Sequence, residues 1–420
     1  MSQGDSGGGC LLFMIDWIFS IFRNRKIRKY NKQSRGLQQY KSISTDTLFP
    51  TVSFQENLVI SGGGVSERLT FSERILRNAF DQNRAMVILH LANGGLENII
   101  AANGFGVIAN KSSKVFDPFT SFDLPEICQV VFDTCKAKYD IKPAGRYILQ
   151  IVHDLLTAQS IRPYFANYAN FTYQQIPNRI NDCLSAGLIT PQQASDLNSL
   201  LMMGQAELAK IDTFFYDMKA QTTHIAAPNP DSVKAQSILS AIKFGKMLCL
   251  DLHSSANVML VELIVNTLTI AMNRGYEFSL FIDDVAIASN ESLKNALCHT
   301  SNHNNIICSK DLYALLNGKE DVFASIVGVA DKTVLLSHGS HLSCEKWSKY
   351  IGEYDKIDVS RNESGGFFQS SKWGYSSNSG QTMQDKREFK VKPEEINRLP
   401  QMQVFVYDNQ TGSLIQANVV

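Results

Sequence analysis

Leu58-Val59-Ile60-Ser61-Gly62-Gly63-Gly64 is a short apolar run that breaks into three glycines. It reads as a buried strand entering a glycine-rich turn, and Phe71 to Phe80 behind it has helical periodicity. Strand, glycine turn and helix in that order make the place where backbone N–H groups can cradle a phosphate. A second stretch, Phe278-Ser279-Leu280-Phe281-Ile282-Asp283-Asp284, is an apolar strand ending in two carboxylates. In phosphate-handling folds an acid at such a strand end holds Mg²⁺, and a second acid can orient the attacking water.

The strict phosphate loop reads G-x-x-x-x-G-K-[ST]. With Gly62 as its first glycine, the second falls on Glu67, the Lys on Arg68 and the metal-holding hydroxyl on Leu69. Glu67 brings a carboxylate where anionic oxygens must sit. Arg68 keeps a positive charge without the compact ammonium head. Leu69 offers no oxygen to a metal. The candidate nucleotide-binding set is therefore a degenerate one: Ser61, Gly62, Gly63, Gly64, Ser66, Arg68 and Thr70, facing Asp283 and Asp284. ATP and Mg²⁺ enter only in a minority reading, with Arg68 on the phosphate and Ser66 or Thr70 on the metal.

Working outward, other apolar runs too short for helices recur at Met86–Leu91, Met247–Leu252, Asn305–Cys308 and Thr333–Leu336. Helical periodicity fills most of the gaps, as in Leu260, Leu263, Ile264, Leu268 and Ala271. That alternation predicts an α/β protein with a parallel sheet covered by helices on both faces. From Phe122 to about Gln236 only helix signals appear, including one expected helix from Thr190-Pro191 to near Lys219. The expected organisation is a leader (1–46), a first sheet half (47–121), an all-α insertion (122–236), a second sheet half (237–345) and a C-terminal extension (346–420). In the extension Ser360 to Asp385 reads as a long Ser/Gly-rich loop, Pro393 opens a short helix, and 403–419 makes a closing hairpin.

Forty basic and forty acidic residues give a formal charge of zero over 420 residues. Residues 1–46 hold eight Lys/Arg against three Asp, so the leader is +5 and the remainder −5. Nothing in that balance recruits nucleic acid to the body, which makes DNA a weakly supported partner. In the leader, Cys10 to Phe22 (CLLFMIDWIFSIF) is too short to cross a bilayer, which takes about 20 apolar residues. Trp17, Phe19 and Phe22 precede Arg23, Arg25, Lys26, Arg28 and Lys29, with Lys32 and Arg35 beyond. An apolar helix followed by a basic cluster suits an anionic membrane surface, contacted through residues 10–35. The order is the reverse of a secretory signal, so a cytoplasmic protein peripheral to the inner face of the membrane is expected.

Eight cysteines without a C-x-x-C pair suit a reducing compartment. His338, His341 and Cys344, and separately Cys298, His299, His303 and Cys308, lack the spacing of a metal knuckle, and no metal is expected. Tyr164, Phe165, Tyr168, Phe171 and Tyr173 could stack on bases, but few basic residues accompany them and packing is the better reading.

The order of these parts resembles the coupling-protein ATPases of conjugation and type IV secretion (TraG/TraD-like), within the HerA/FtsK-type P-loop superfamily. The likeness covers about residues 50–420. It is most specific from Phe278 to Leu316, and from Asp358 through Lys390-Val391-Lys392-Pro393-Glu394-Glu395-Ile396 to Val406. It implies a RecA-like P-loop-type domain interrupted by an all-α inserted domain, a membrane-associated N-terminus, protein partners of a transfer system and a homo-oligomeric ring. Members carry Asp-Glu at the acid strand where this chain has Asp283-Asp284. They then carry an Arg and, one strand later, a Gln, where this chain has Ser301-Asn302-His303 and Ser309-Lys310-Asp311. Departures at the loop, the Arg and the Gln together imply a relative that no longer hydrolyses ATP and acts as a scaffold. The alternative is an active ATP-driven DNA translocase with an unconventional phosphate loop.

Overall fold

The computed structural model describes all residues except 1–6, 51–55, 137, 230, 232–233, 300–302 and 366–376, and side chains except also those of 7–20, 359–365 and 377–383. The chain opens with helix α1 (Gly7–Arg35) and strand β1 (Leu37–Ile43). There follow α2 (Thr45–Leu48), β2 (Leu58–Ser61), α3 (Val65–Asp81), β3 (Met86–His90), α4 (Gly94–Asn103) and β4 (Gly106–Ala109). Next come six helices in succession: α5 (Leu124–Cys135), α6 (Gly145–Ala158), α7 (Phe165–Ala169), α8 (Ile176–Ser185), α9 (Pro191–Gly204) and α10 (Leu208–Thr222). The chain returns through α11 (Ile238–Lys243), β5 (Met247–Asp251), α12 (Val258–Asn273), β6 (Phe278–Asp283) and α13 (Glu291–Cys298). It continues with β7 (His303–Ser309), α14 (Leu312–Leu315), α15 (Glu320–Gly328) and β8 (Lys332–Leu335). Last come α16 (His341–Ile351), β9 (Glu353–Gly365), β10 (Ser377–Phe389), α17 (Pro393–Asn397), β11 (Gln403–Asp408) and β12 (Leu414–Val419).

These elements form two compact units, one of residues 1–42 with 335–419 and one of residues 43–334 with Val420. The division differs from the expected boundaries at 46 and 345: the leader and the C-terminal extension belong to one body.

In the larger unit the strand order is β8-β2-β7-β6-β3-β5-β4, with the run from β2 to β4 pairing parallel throughout. Every residue of β2, β3, β5, β6 and β7 is buried. A parallel sheet covered on both faces has no solvent side, which is why these strands read as continuous apolar runs. The register sets a row of strand ends side by side: Ser61 opposite Ser309, Cys308 opposite Asp283, Asp283 opposite His90, and His90 opposite Asp251. The chain leaves β2, skips two strands and re-enters at β3, so ligand chemistry belongs in the crevice beyond these carboxyl ends.

Within the run of helices α5 to α10, α7 and α10 meet in a ring cluster. Phe119, Phe165, Tyr168, Tyr173 and Phe215 are all buried, and Tyr168 and Tyr173 stack on Phe215 with centroids 5.7 and 5.6 Å apart. The aromatics at 165, 168 and 173 are thus core. The helix expected to run from 190 to 219 is broken at Gly204, where any Cβ would lie 2.8 Å from Ile148 of α6. After the break Glu207 turns inward and its Oε2 accepts the Lys142 N–H at 3.0 Å.

In the smaller unit β1, β12 and β11 form one sheet edge to edge, with β11 and β12 a hairpin pairing Gln403 with Asn418. Residues 360–385, expected as a long loop, depart from that expectation. The described parts of this segment, 360–365 and 377–385, are strand and not loop: β9 and β10 make an antiparallel ribbon thirteen residues long on each side, Glu353 pairing with Phe389 and Gly365 with Ser377, and residues 366–376 lie outside the described set. Polar contacts hold its base. Tyr354 donates to Glu388 at 2.9 Å, and Lys356 and Lys392 flank the same carboxylate. Partial burial pushes the Glu388 carboxyl up, but hydrogen bonds from Lys392, Tyr354 and Lys356 outweigh it and hold it at about 2.

Candidate functional site

The site forms where β2 runs into α3, beside the end of β6. Gly62 and Gly63 take φ of 101° and 70°, a left-handed path that glycine adopts without strain. Helix α3 begins at Val65, six residues earlier than its apolar periodicity shows. Ser66, Glu67, Arg68 and Thr70 are therefore helical residues, not turn residues.

Two amide donors of this turn are met from within the chain. Gly62 N–H donates to Ser309 O at 3.0 Å, and Gly64 N–H donates to Glu67 Oε2 at 2.7 Å. Glu67 is thus the anion at the N-terminus of α3, where the helix dipole favours negative charge. Arg68 is 4% exposed and folds back over the turn. Its Nη1 donates to Gly63 O at 3.1 Å and its Nη2 pairs with Asp284 Oδ2 at 2.6 Å. The other oxygen of Asp284 accepts the Lys310 N–H at 2.7 Å. Asp284 itself sits at φ 53°, a left-handed conformation uncommon for a residue with a side chain. One carboxylate thereby ties α3, the end of β6 and the exit of β7 together.

Asp283 is 4% exposed and receives Asn93 Nδ2 at 2.5 Å. Burial raises its pKa, and the Asn93 hydrogen bond pulls it part of the way back. Asn93 caps α4, its Oδ1 accepting the Leu96 N–H, while its own N–H donates to His90 Nδ1 at 3.0 Å. That bond leaves the His90 proton on Nε2, which lies 3.4 Å from Glu97 Oε1. Burial lowers the His90 pKa to about 4, against the pull of Asp251, so the ring is neutral at pH 7 and the contact is not an ion pair. The same burial raises the Glu97 pKa.

The expected residues are therefore brought together in part. Gly62, Gly63, Gly64, Arg68, Asp283 and Asp284 converge, with Ser61 buried beside them, its Oγ accepting the Leu312 N–H at 3.2 Å. Ser66 and Thr70 are exposed on α3, and Thr70 Oγ1 donates back to Ser66 O at 3.1 Å. Leu69 packs on the first turn of α4, its Cδ1 2.6 Å from where a Cβ on Gly95 would stand. A triphosphate with Mg²⁺ does not fit this donor set. Glu67 occupies the anion seat, Arg68 is committed to Asp284, and an apolar side chain stands at the metal-hydroxyl position. Ser301 and Asn302 lie outside the described residues. His303 begins β7 buried, its ring stacked on Phe278 at 5.3 Å. Asn93 and His90 escaped the sequence reading. The signal was there, an Asn before Gly94-Gly95 at a strand end, but nothing in one dimension aimed it at Asp283.

Among the described residues no three His, Cys, Asp or Glu side chains are grouped to hold a metal ion, and no helix is long and apolar enough to cross a membrane. On α1, Phe22, Arg23, Arg25, Lys26, Arg28 and Lys29 are exposed. Trp17 and Phe19 lie within the α1 span, and their side chains are outside the described set.

No protein-family model matches this sequence, and no curated protein matches it. Solved structures do. The bacterial conjugative coupling protein TrwBdeltaN70, in its unbound monoclinic form, matches at 15% identity with a TM-score of 0.54, covering 90% of this chain and 88% of that one. TrwB in complex with ADP and Mg²⁺ matches at 14% and TM-score 0.52, and TrwB with the GTP analogue GDPNP at 13% and 0.52, over the same shares. The likeness is one of fold: the chain has the RecA-like, P-loop-type architecture of a conjugative coupling protein, a mostly parallel sheet with helices.

Proposed function

We propose that this chain is a coupling-protein-like component of a conjugation or type IV secretion system, which keeps the RecA-like framework as a scaffold and does not hydrolyse ATP. The fold shared with TrwB supports the first half. One observation carries the second: the Glu67 carboxylate holds the Gly64 N–H while Arg68 is paired with Asp284, so a backbone donor and the cation a nucleotide would need are used internally. A γ-phosphate would have to displace a carboxylate already at hydrogen-bond distance and break a largely buried ion pair. The partners are then proteins of the transfer system, with the helical insert as the recognition surface, and α1 seats the scaffold on the inner, anionic face of the membrane. Ring assembly loses part of its reason when no nucleotide bridges subunits.

Thermal unfolding with Mg·ATP tests this directly. A ligand at 100 times its dissociation constant stabilises by about 2.7 kcal/mol, and no shift is expected here at millimolar nucleotide. ATP turnover by the purified protein, abolished by Asp283→Ala, would establish the alternative of an active translocase with an unconventional loop.

A further inference from the structure

Helix α1 is 29 residues long, and its last fifteen residues have two faces. Asn24, Ile27, Asn31, Ser34 and Arg35 are half-buried, whereas Arg23, Arg25, Lys26, Arg28, Lys29 and Lys32 are exposed. The half-buried face is fastened to the ribbon. Asn31 Nδ2 donates to Ile357 O at 3.0 Å and its Oδ1 accepts the Ile357 N–H at 2.9 Å, so one amide side chain pairs with β9 as another strand would. Ser34 Oγ donates to Asp355 O at 2.9 Å. Arg35 donates from Nε to Lys390 O at 2.7 Å and pairs with Glu395 through Nη2 at 2.6 Å. None of the six exposed basic residues is ion-paired to another described residue, and α1 carries no acid after Asp16.

We infer that the β9–β10 ribbon is a clamp that fixes the rotation of α1, so that its six-cation face is presented as a rigid, preorganised contact for anionic phospholipid headgroups. The inference rests on the membrane-surface reading of α1 and deepens it. It assigns the reading of lipid charge to residues 23–32 and gives the ribbon the job of aiming them. Charge complementarity selects the occupant, since six unpaired cations are attracted to an anionic leaflet. The apolar run 10–22 that precedes them on the same helix suits a bilayer interface and gives a nucleic-acid backbone nothing to contact. The physical gain is entropic. A helix free to rotate about its axis must be ordered when it binds, whereas a clamped one has already lost that freedom. The acids at the base of the ribbon have cations of their own: Glu395 pairs with Arg35, Glu388 with Lys356 and Lys392, Asp358 with Lys356 and Asp355 with Arg387.

The test is co-sedimentation of the full chain with vesicles of phosphatidylcholine alone or mixed with phosphatidylglycerol, read beside hydrogen exchange over residues 21–35. The parent protein should bind only the anionic vesicles. Replacing Arg25, Lys26 and Lys29 with Gln should weaken binding at least tenfold. Asn31→Ala with Ser34→Ala, which removes no charge, should speed exchange in α1 and weaken binding several-fold. Failure of the parent protein to bind anionic vesicles removes the membrane reading itself. If it binds but the Asn31/Ser34 variant binds equally well with faster exchange, the clamp is overturned and the membrane reading stands. Unchanged exchange in that variant also overturns the clamp. Salt-sensitive binding to single-stranded DNA with none to vesicles would assign the face to nucleic acid and overturn the lipid proposal.

Discussion

Arg68 and Asp284 are unequal partners: the arginine side chain keeps 5% of its surface and the aspartate 31%. Removing one member of a buried pair costs chiefly through the charge left behind. Asp284→Ala leaves a buried guanidinium with only Gly63 O and should cost about 3 kcal/mol. Arg68→Met leaves a carboxylate that water and the Lys310 N–H can still solvate, and should cost about 1 kcal/mol. Urea denaturation of the two single variants and the double measures the asymmetry, and equal costs would mean the pair is not held as described. A second residue reports through pH. Asp117 is 1% exposed where the chain enters the helical insert, and its Oδ1 accepts the Phe119 and Thr120 N–H groups at 3.0 Å each. Burial lifts its pKa from 3.8 to about 6, against those hydrogen bonds. Between those values the folded protein keeps a proton that the unfolded chain has lost. Stability contributed by this group therefore falls as pH rises from about 4 to about 6, by up to about 1.4 kcal/mol per pH unit, and is flat above. Asp117→Asn keeps an oxygen for both amides and should erase that slope in denaturation profiles taken across the window.

Strands legible as apolar runs were those buried on both faces: β2, β3, β5, β6, β7 and β8 each fall within a residue or two of an expected segment. The missed strands share a different physics. β1 has one buried residue in seven, and β4 is short, with Gly106 at its start. β9 and β10 are stabilised by cross-strand ion pairs and backbone pairing, with little apolar alternation to announce them. Gly106 also shows what holds β4 in place. A Cβ there would stand 2.4 Å from Met247 O and 2.6 Å from Met247 Cβ on β5. Gly106→Ala must push the strands apart and should cost about 2 kcal/mol or more, read as a lowered midpoint of thermal unfolding. Gly104→Ala, a left-handed helix cap with open space around its Cα, should cost about 1 kcal/mol through backbone strain alone.

At the scale of the molecule the formal charge of zero is an average over unlike parts, a basic α1 and a mildly acidic remainder. The linear order of apolar runs was sufficient for a parallel α/β sheet interrupted by helices, because burial on both faces leaves strands no polar positions and hydrophobic periodicity is a local property. It was also enough to find that no Lys and no hydroxyl stand at phosphate-loop spacing after Gly62, which needs only residue identity. What the residues at those positions do came from tertiary structure alone. The bond from Arg68 to Asp284 joins residues 216 apart, the one from Asn93 to Asp283 residues 190 apart, and the clamp of Asn31 on Ile357 residues 326 apart. Side chains so distant along the chain meet only when strand order and register bring their backbones within a few ångströms. That placement depends on strand order and register within each unit, so no local window of sequence contains it.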